Sequence, residues 1–193
     1  MQTIAFSELT DDQVAHIVLD LETLSTRPDA LVLSIGAVGL NKRGEILSGT
    51  EFHLALDQQA QQHRRHVSLD TLDWWSKQDK PARDASFTAP PTSQAFVANA
   101  LSAFSDFVDQ WSARDAVCVW GNGCSFDNVI LASLYKDWGI EAPWKFWNDR
   151  DMRTITAIFP RLKAMPFEGI KHHALHDAMH EAKQLSRAIP SIQ

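Results

Sequence analysis

Cysteine and positive charge are both scarce in this chain. Only two of its 193 residues are cysteines, Cys118 and Cys124. That is too few for a disulfide-stabilised scaffold and favours a reducing, cytoplasmic location. Eighteen Lys and Arg residues stand against 24 Asp and Glu residues, for a net charge of −6. A strongly basic nucleic-acid coat protein is therefore excluded. A nucleic-acid enzyme is not, because clustered acids can hold the metal ions that meet phosphate.

Long apolar runs are also missing. None approaches the ~20 residues of a membrane helix, and the first residues lack the basic and apolar segments of a signal peptide. We therefore expect no membrane partner. With 45% apolar and 22% charged residues, the composition is typical of a globular protein. We predict a loose polar N-terminal lead-in over residues 1–15 and a single domain over residues 16–193.

The hydrophobic pattern predicts an α/β fold with a mixed sheet. Apolar runs predict strands over residues 16–21, 31–40, 45–56 and 116–120, with a shorter one near 145–147. A hairpin loop at residues 41–44 makes the second and third strands antiparallel.

Helices are predicted from their capping residues and apolar faces. Ser68 is expected to cap a helix over 69–78, Thr92 or Ser93 a long one through Trp111, and Ser125 one that ends at Trp138. Two more helices are expected, one ending at Ile158 and one over residues 173–189.

Two carboxylates lie one residue apart at the end of the first predicted strand. Asp20 and Glu22 share one face of the strand, and Leu21 points to the other, because strand side chains alternate. Like charges held side by side are costly unless a cation neutralises them, and oxygen ligands favour Mg²⁺ or Mn²⁺. The alternative is an exposed strand end with solvated acids.

A third acid, Asp127, follows the segment GNGCSF at the start of a predicted helix. Helix capping explains an acid at this position equally well, because the helix dipole favours negative charge there. The preceding glycines allow close backbone approach, by a substrate or by plain packing.

The segment HHALHDAMH, residues 172–180, is the densest in titratable groups. One interpretation makes Asp177 a metal ligand on the last helix, with His172 before it as a base that works near neutral pH. The second is a zinc site on His176 and His180, although a zincin helix needs Glu where Asp177 stands. A solvated histidine-rich helix face is the third.

Together these residues carry a family resemblance. Asp20-x-Glu22, Asp127 and His172-x4-Asp177 occur in that order within VLDLET (followed by SIGAV), GNGCSFDNVIL and HHALHDA. This pattern resembles the DEDDh 3′-5′ exonucleases of the DnaQ-like (RNase T) superfamily. Residues 20–38, with the later DWW and RDMRTI segments, look closest to the RNase T-like exoribonuclease branch, which includes phage DNA exonucleases. The resemblance spans residues 16–188.

The resemblance implies an RNase H-like fold, a mixed five-stranded sheet with flanking helices, and a metal-dependent 3′-5′ exonuclease. It would release nucleoside 5′-monophosphates from the 3′ ends of single-stranded RNA or DNA. Asp20 would bridge two divalent ions, Mg²⁺ or Mn²⁺; Glu22 and Asp177 would hold the first and Asp127 the second. His172 is the implied general base, selected by the H-x4-D spacing, and His173 is left to the helix start. A homodimer is plausible, because relatives often pair.

Nucleic-acid contacts are expected around these acids. The resemblance implies contacts from Thr23 and Leu24, although Ser25 stands where many members have Gly. Of the adjacent Trp74 and Trp75, one is expected to pack in the core and the other to stack on a base. The remaining candidates are Asn122, Phe126 and Arg153. The basic segment 63–66 is either a strand guide or a solvated loop. A binding module without catalysis is the rival function.

Overall fold

The centre of the protein is a mixed five-stranded sheet, which a computed structural model describes within residues 4–87 and 97–192. The strands span His16–Thr23 (β1), Val32–Leu40 (β2), Ile46–Ala55 (β3), Cys118–Gly121 (β4) and Asp149–Asp151 (β5). They lie in the order β3-β2-β1-β4-β5. β2 pairs antiparallel with both β1 and β3, whereas β4 runs parallel to β1 and to β5. The predicted mixed sheet and its antiparallel second strand are confirmed.

Seven α-helices cover the sheet within the described residues. They are Gln58–Gln61 (α1), Leu69–Ser76 (α2), Lys80–Phe87 (α3), Val97–Trp111 (α4), Asp127–Asp137 (α5), Met152–Ile158 (α6) and Ala174–Ala188 (α7). Ser68 caps α2 as predicted, its hydroxyl accepting from the Thr71 amide at 3.5 Å. The predicted caps Thr92 and Ser93 lie outside the described residues.

Two local predictions are wrong, and one helix was missed. The strand expected near residues 145–147 is instead a 3₁₀ turn over residues 146–148, and the edge strand β5 follows it. The charged sequence of β5 has no strand pattern of its own, and it is extended because it pairs with β4. Ser125 does not cap α5, whose N-cap is Phe126 without a side-chain bond. Helix α3 was not predicted, because its sequence is short and largely polar and buries only the small residues Ala82 and Ser86.

The N-terminal lead-in is packed rather than loose. Leu9 and Val14 are buried, and the Val14 amide donates to the Trp111 carbonyl at 2.8 Å. These apolar side chains pack at the end of the sheet where β1 begins. The expectation of a polar lead-in overlooked them. In the described residues no helix is both long and apolar enough to cross a membrane.

Two apolar cores lie on the two faces of the sheet. Ile17, Leu19 and Leu21 of β1 pack on the face covered by α4 and α5. Val18 packs on the opposite face, beneath α6 and α7. Strand alternation therefore places Asp20 and Glu22 on the α7 face.

Helix α7 lies unusually close to the sheet. Gly36 of β2 pairs with Asp20 of β1, and a Cβ built on Gly36 would lie 2.1 Å from the carbonyl carbon of Ala174. Only glycine leaves room for the helix backbone there. The first turn of α7 is thereby held directly beside the carboxyl end of β1.

Candidate active site

The first two carboxylates of the site come from β1. Asp20 pairs with Gly36 and Glu22 with Ser34, and the register shifts immediately after Glu22. Leu21 lies in the core on the other face of the sheet, which confirms the predicted alternation. Glu22 is buried, whereas Asp20 keeps part of its surface open to the cleft. The interpretation as a solvated strand end is therefore wrong.

Asp127 joins them from α5. It is the first residue of that helix and only 2% exposed, and its Oδ1 accepts from the Leu21 amide of β1 at 3.2 Å. A Cβ on Gly121, at the end of β4, would lie 2.4 Å from Asn128 Oδ1 and 2.9 Å from Asp127 Cβ. The missing side chain at Gly121 lets the start of α5 reach β1. Close packing, one of the two uses considered for the glycine-rich segment, is what the structure shows.

Asp177 and His172 complete the set from α7 and the loop before it. One ligand atom each from Glu22, His172 and Asp177 lie within 4.8 Å of one another. The His173 amide donates to Asp177 Oδ2 at 3.1 Å, which fixes the carboxylate at the helix start. All five residues of the DEDDh pattern thus converge on one region.

His172 is held in a backbone conformation that few residues adopt. Its φ is 59°, in the left-handed region, where a non-glycine residue is strained. The Ser86 hydroxyl of α3 donates to the His172 carbonyl at 2.9 Å, and the Trp74 ring meets the imidazole edge-on with centroids 4.9 Å apart. The strained backbone therefore aims the imidazole at the acids.

His173 is placed differently from His172. It is the N-cap residue of α7, and its ring stacks between those of His53 and His176, with centroids 4.3 and 4.2 Å apart. The structure thus separates the two histidines as the H-x4-D spacing predicts.

A fifth acid, Glu181, was missed by the sequence reasoning. It follows Asp177 by four residues on α7, so both side chains lie on one face of the helix. Glu181 is 5% exposed, and it lines the same cleft as the other acids. The spacing of four was the available signal, but an acid on a helix that carries many charges did not stand out.

Burial and mutual repulsion shift the protonation of the whole cluster. Burial, followed by the charges of Asp177 and Asp127, raises the pKa of Glu22 to about 8. Burial also raises the pKa of Asp127 to about 7, although backbone amides at Leu21 and Asn122 act in the opposite sense. The pKa values of Asp20 and Glu181 lie well above their ordinary range, for burial first and then neighbouring carboxylates. Without a cation, these acids resist ionisation.

The donor set fits hard divalent cations. It consists of carboxylate oxygens with one nearby imidazole. Mg²⁺ and Mn²⁺ prefer such oxygen ligands, whereas a structural zinc site is typically rich in thiolates. The Oε2 atom of Glu181 is buried and has no hydrogen-bond partner. Buried, mutually repelling carboxylates with an unpaired oxygen leave room for positive charge.

The acids form one wall of a cleft of about 620 Å³, within the range of ~300–1,000 Å³ typical of small-ligand sites. Most of the predicted nucleic-acid contacts also line it, namely Thr23, Trp74, Trp75, Asn122, Phe126 and Arg153. Their roles as contacts stay predictions.

The two tryptophans differ in exposure. Trp75 is 2% exposed, and its indole Nε1 donates to the Thr23 carbonyl at 2.9 Å, so its ring belongs to the core. Trp74 is 42% exposed and presents a ring to the cleft beside His172. Of the two predicted contacts, Trp75 is therefore the ring that packs in the core, and Trp74 is the one left to stack on a base.

Leu24 is a predicted contact that is not among the residues lining the cleft. Its side chain is buried with Leu31, Leu33 and Trp75. Its amide donates to the Leu31 carbonyl and its carbonyl accepts from the Ser68 amide, so its contact with nucleic acid stays a prediction. Ser25 likewise turns its hydroxyl away from the cleft, onto His66 Nδ1 at 2.7 Å.

The other polar motifs have structural roles. His176 Nδ1 accepts from the Ile170 amide, and His180 contacts Gln184, while within the described ranges the potential metal-ligand group contains neither histidine. The zinc interpretation therefore gains no support.

In the basic segment, residues 63–66, Arg65 is buried and pairs with Asp137 at 2.7 Å. That residue ties its loop to α5 and is not free to guide a strand.

Comparison with known proteins matches nearly the whole chain to a nuclease family. The family described as "3'-5' exoribonuclease Rv2179c-like domain" matches residues 15–189. An exodeoxyribonuclease of Enterobacteria phage T4 is similar at 23% identity over 193 residues, covering 85% of this chain and 82% of the relative.

Solved nuclease structures share the fold. The nuclease domain of 3'hExo, a DEDDh family member bound to rAMP, gives a TM-score of 0.59 at 12% identity over 94% of this chain and 95% of that one. The Mg²⁺- and Mn²⁺-bound form of S. pombe Pop2p gives 0.54 at 10% identity, over 90% and 82%. The expected RNase H-like fold is confirmed by these likenesses.

Proposed function

The chain belongs to the Rv2179c-like family of 3′-5′ exoribonuclease domains and is a 3′-5′ exonuclease of the DEDDh type, and from that premise we propose its substrate and mechanism. It removes nucleoside 5′-monophosphates from the 3′ ends of single-stranded RNA or DNA, using two divalent ions, Mg²⁺ or Mn²⁺. The observation that carries the proposal is the convergence of four acids and His172 in one cleft.

The acids divide between the two ions according to their positions. Asp20, whose carboxyl group feels the charges of Asp127 and Glu22 most strongly, would contribute to holding both ions. Glu22 and Asp177, which lie near each other, would hold one ion, and Asp127 would hold the other. Ions bound there supply the acidity that activates a water and the charge that stabilises the leaving 3′ oxygen. Raised carboxylate pKa values support this assignment, because a cation relieves the repulsion that burial creates.

His172 is the general base. Its imidazole nitrogen takes the proton from the attacking water, a task suited to the side chain whose charge changes near neutral pH. The left-handed backbone and the bond from Ser86 support this role, because they fix the direction of the ring before substrate arrives. Strain of this kind is typical of functional positions.

The substrate enters as a single strand. The half-exposed ring of Trp74 stacks on a base irrespective of sequence, and the exposed Arg153 contacts a phosphate. The names of the matches differ on the sugar: the family is called exoribonuclease, and the phage relative exodeoxyribonuclease. We propose activity on both polymers. The homodimer stays a prediction. The cytoplasmic location also stays a prediction, and the two unpaired cysteines are consistent with it.

A matched digestion tests the proposal. Single-stranded RNA and DNA of one sequence, each labelled at the 5′ end, are incubated with Mg²⁺, Mn²⁺ or EDTA. We expect ladders that shorten from the 3′ end with either metal, none in EDTA and none with Asp20→Asn. Asp106→Asn, the same change on the exposed side of α4, is the matched control. Undiminished cleavage by Asp20→Asn or in EDTA contradicts the mechanism.

A further inference from the structure

Glu181 is the acid that the five-residue pattern leaves unexplained. It lies one helical turn beyond Asp177 on α7, is 5% exposed, and is among the residues that line the cleft. Its Oε2 is buried without a hydrogen-bond partner. Buried polar atoms are nearly always paired, so an orphaned carboxylate oxygen needs an explanation.

The surroundings of Glu181 are negative. Among charged neighbours, Asp127 acts on it most strongly and Asp177 next, while the Asn122 side chain and the charge of Arg153 act in the opposite sense. Such an arrangement is unfavourable in a protein interior unless a cation occupies it. Five carboxylates carry five negative charges, which equal the positive charges of two divalent ions and the Arg153 guanidinium. With only four carboxylates, the two ions alone would complete the balance and the charge of Arg153 would be left over.

We propose that Glu181 is a fifth acid of the metal centre, whose free Oε2 binds the divalent ion held by Asp127, directly or through a water. The inference rests on the proposed two-ion function. The Asp127 ion is chosen because the ligand group at the other position consists of Glu22, His172 and Asp177 and does not include Glu181. Asp127 is also the charged group that Glu181 feels most.

A purely structural Glu181 makes a different prediction from a metal-binding one. Glu181→Gln keeps the shape and removes the charge. If Glu181 only fills space, the variant folds normally and binds metal as the wild type does. If it binds the ion or its water, the affinity for one ion falls by about 10–100-fold, the range for groups that support metal ligands.

The experiment is a Mn²⁺ titration of the full chain without nucleic acid, read by the EPR signal of free Mn²⁺, with 5′-AMP present as the proposed product. Wild type, Glu181→Gln, Asp127→Asn and Glu168→Gln are compared; Glu168 is an exposed acid paired with Lys183 and is the matched control. We expect Glu181→Gln to weaken one ion and Glu168→Gln none. Cleavage by Glu181→Gln should require 10–100-fold more Mg²⁺ and recover at high Mg²⁺.

The outcomes separate the two proposals. Wild-type affinity in Glu181→Gln, with a loss in Asp127→Asn, overturns the role of Glu181 and leaves the exonuclease mechanism intact. Absence of Mn²⁺ binding by the wild type overturns both. Should the glutamine variant fail to fold by circular dichroism, Glu181→Asp replaces it: retained charge at shorter reach should weaken the ion, and unchanged affinity overturns the inference.

Discussion

Helices α4 and α7 have the same length, 15 residues, and cover opposite faces of one sheet, yet they bury different side chains. Helix α4 buries large residues, among them Leu101, Phe104 and Phe107. Helix α7 buries alanines along its length and carries two acids into the cleft, Asp177 and Glu181. One face of the sheet is packed for stability, and the other is packed for a site.

The size of the buried side chains decides what each helix can do. Phe104 and Phe107 stack on each other, and they contact Phe52 edge-on and at a tilt, respectively. Such rings keep a helix backbone away from its sheet. On α7, Ala174 and Gly36 bring the helix backbone against β2. That closeness brings helix acids beside strand acids, and it leaves less apolar surface to stabilise the fold.

The largest expected effect is on the α7 face. Asp177→Asn should lower the exonuclease rate by about 10³-fold or more, about 4 kcal/mol of barrier, because it removes a proposed metal ligand. The free energy of unfolding of the metal-free protein should stay equal or rise, because burial raises the pKa of Asp177 and disfavours its ionised form. Rates and urea denaturation on the same preparation measure both. A large decrease in the free energy of unfolding would contradict the view that the α7 face serves the site rather than stability.

The matching change on the α4 face should act in the reverse way. Phe104 is fully buried, and Phe104→Ala should lower the free energy of unfolding by about 3–5 kcal/mol through lost contacts and a cavity. The rate per folded molecule at low temperature should stay near that of the wild type, because Phe104 lines no part of the cleft. Urea denaturation and single-turnover cleavage below the unfolding transition provide the two numbers. A wild-type free energy of unfolding together with a reduced cleavage rate would contradict the structural role assigned to the α4 face.

Acid protonation makes the α7 face sensitive to pH. Glu22, with a pKa of about 8, and Asp127, with about 7, bind protons more tightly folded than unfolded, where carboxyl pKa values are near 4. Their contribution is complete below the unfolded pKa and is lost as pH rises through 7 to 8. The metal-free protein should therefore lose stability from about pH 4 upward, by about 1.4 kcal/mol per pH unit for each proton released on unfolding, and the loss should level off above about pH 8.

Divalent metal and a distant histidine provide the controls. With Mg²⁺ present the decline should vanish, because the cation replaces the protons, and Glu22→Gln should reduce its slope without metal. Burial lowers the pKa of His16 to about 4, so that residue costs stability only as pH falls below its unfolded value of 6.5. A Tm that is flat with pH in metal-free protein would contradict the electrostatic account.

The sequence predicted those parts of the site that depend on local geometry. Alternation along β1 placed Asp20 and Glu22 on one face, whereas the choice of His172 over His173 followed from the resemblance to the DEDDh exonucleases and their H-x4-D spacing. The remaining features depend on tertiary contacts: Glu181 becomes notable only once α7 lies against β1. The same holds for α3, whose Ser86 holds the His172 backbone, although its sequence is short and largely polar.

The smallest effect repeats the comparison within helix α2. Trp74→Ala should raise KM by roughly 10-fold, near the lower end of the ~1–3 kcal/mol for stacking on one base, and change kcat less, because Ser86 still holds the His172 backbone. Trp75→Phe is the partner variant. It keeps a ring in the core but loses the Nε1 bond to Thr23, so it should lower the free energy of unfolding by about 1 kcal/mol and leave KM unchanged. Steady-state cleavage of a short single strand separates the two, and a larger KM effect at Trp75 would mean that the ring facing substrate has been misassigned.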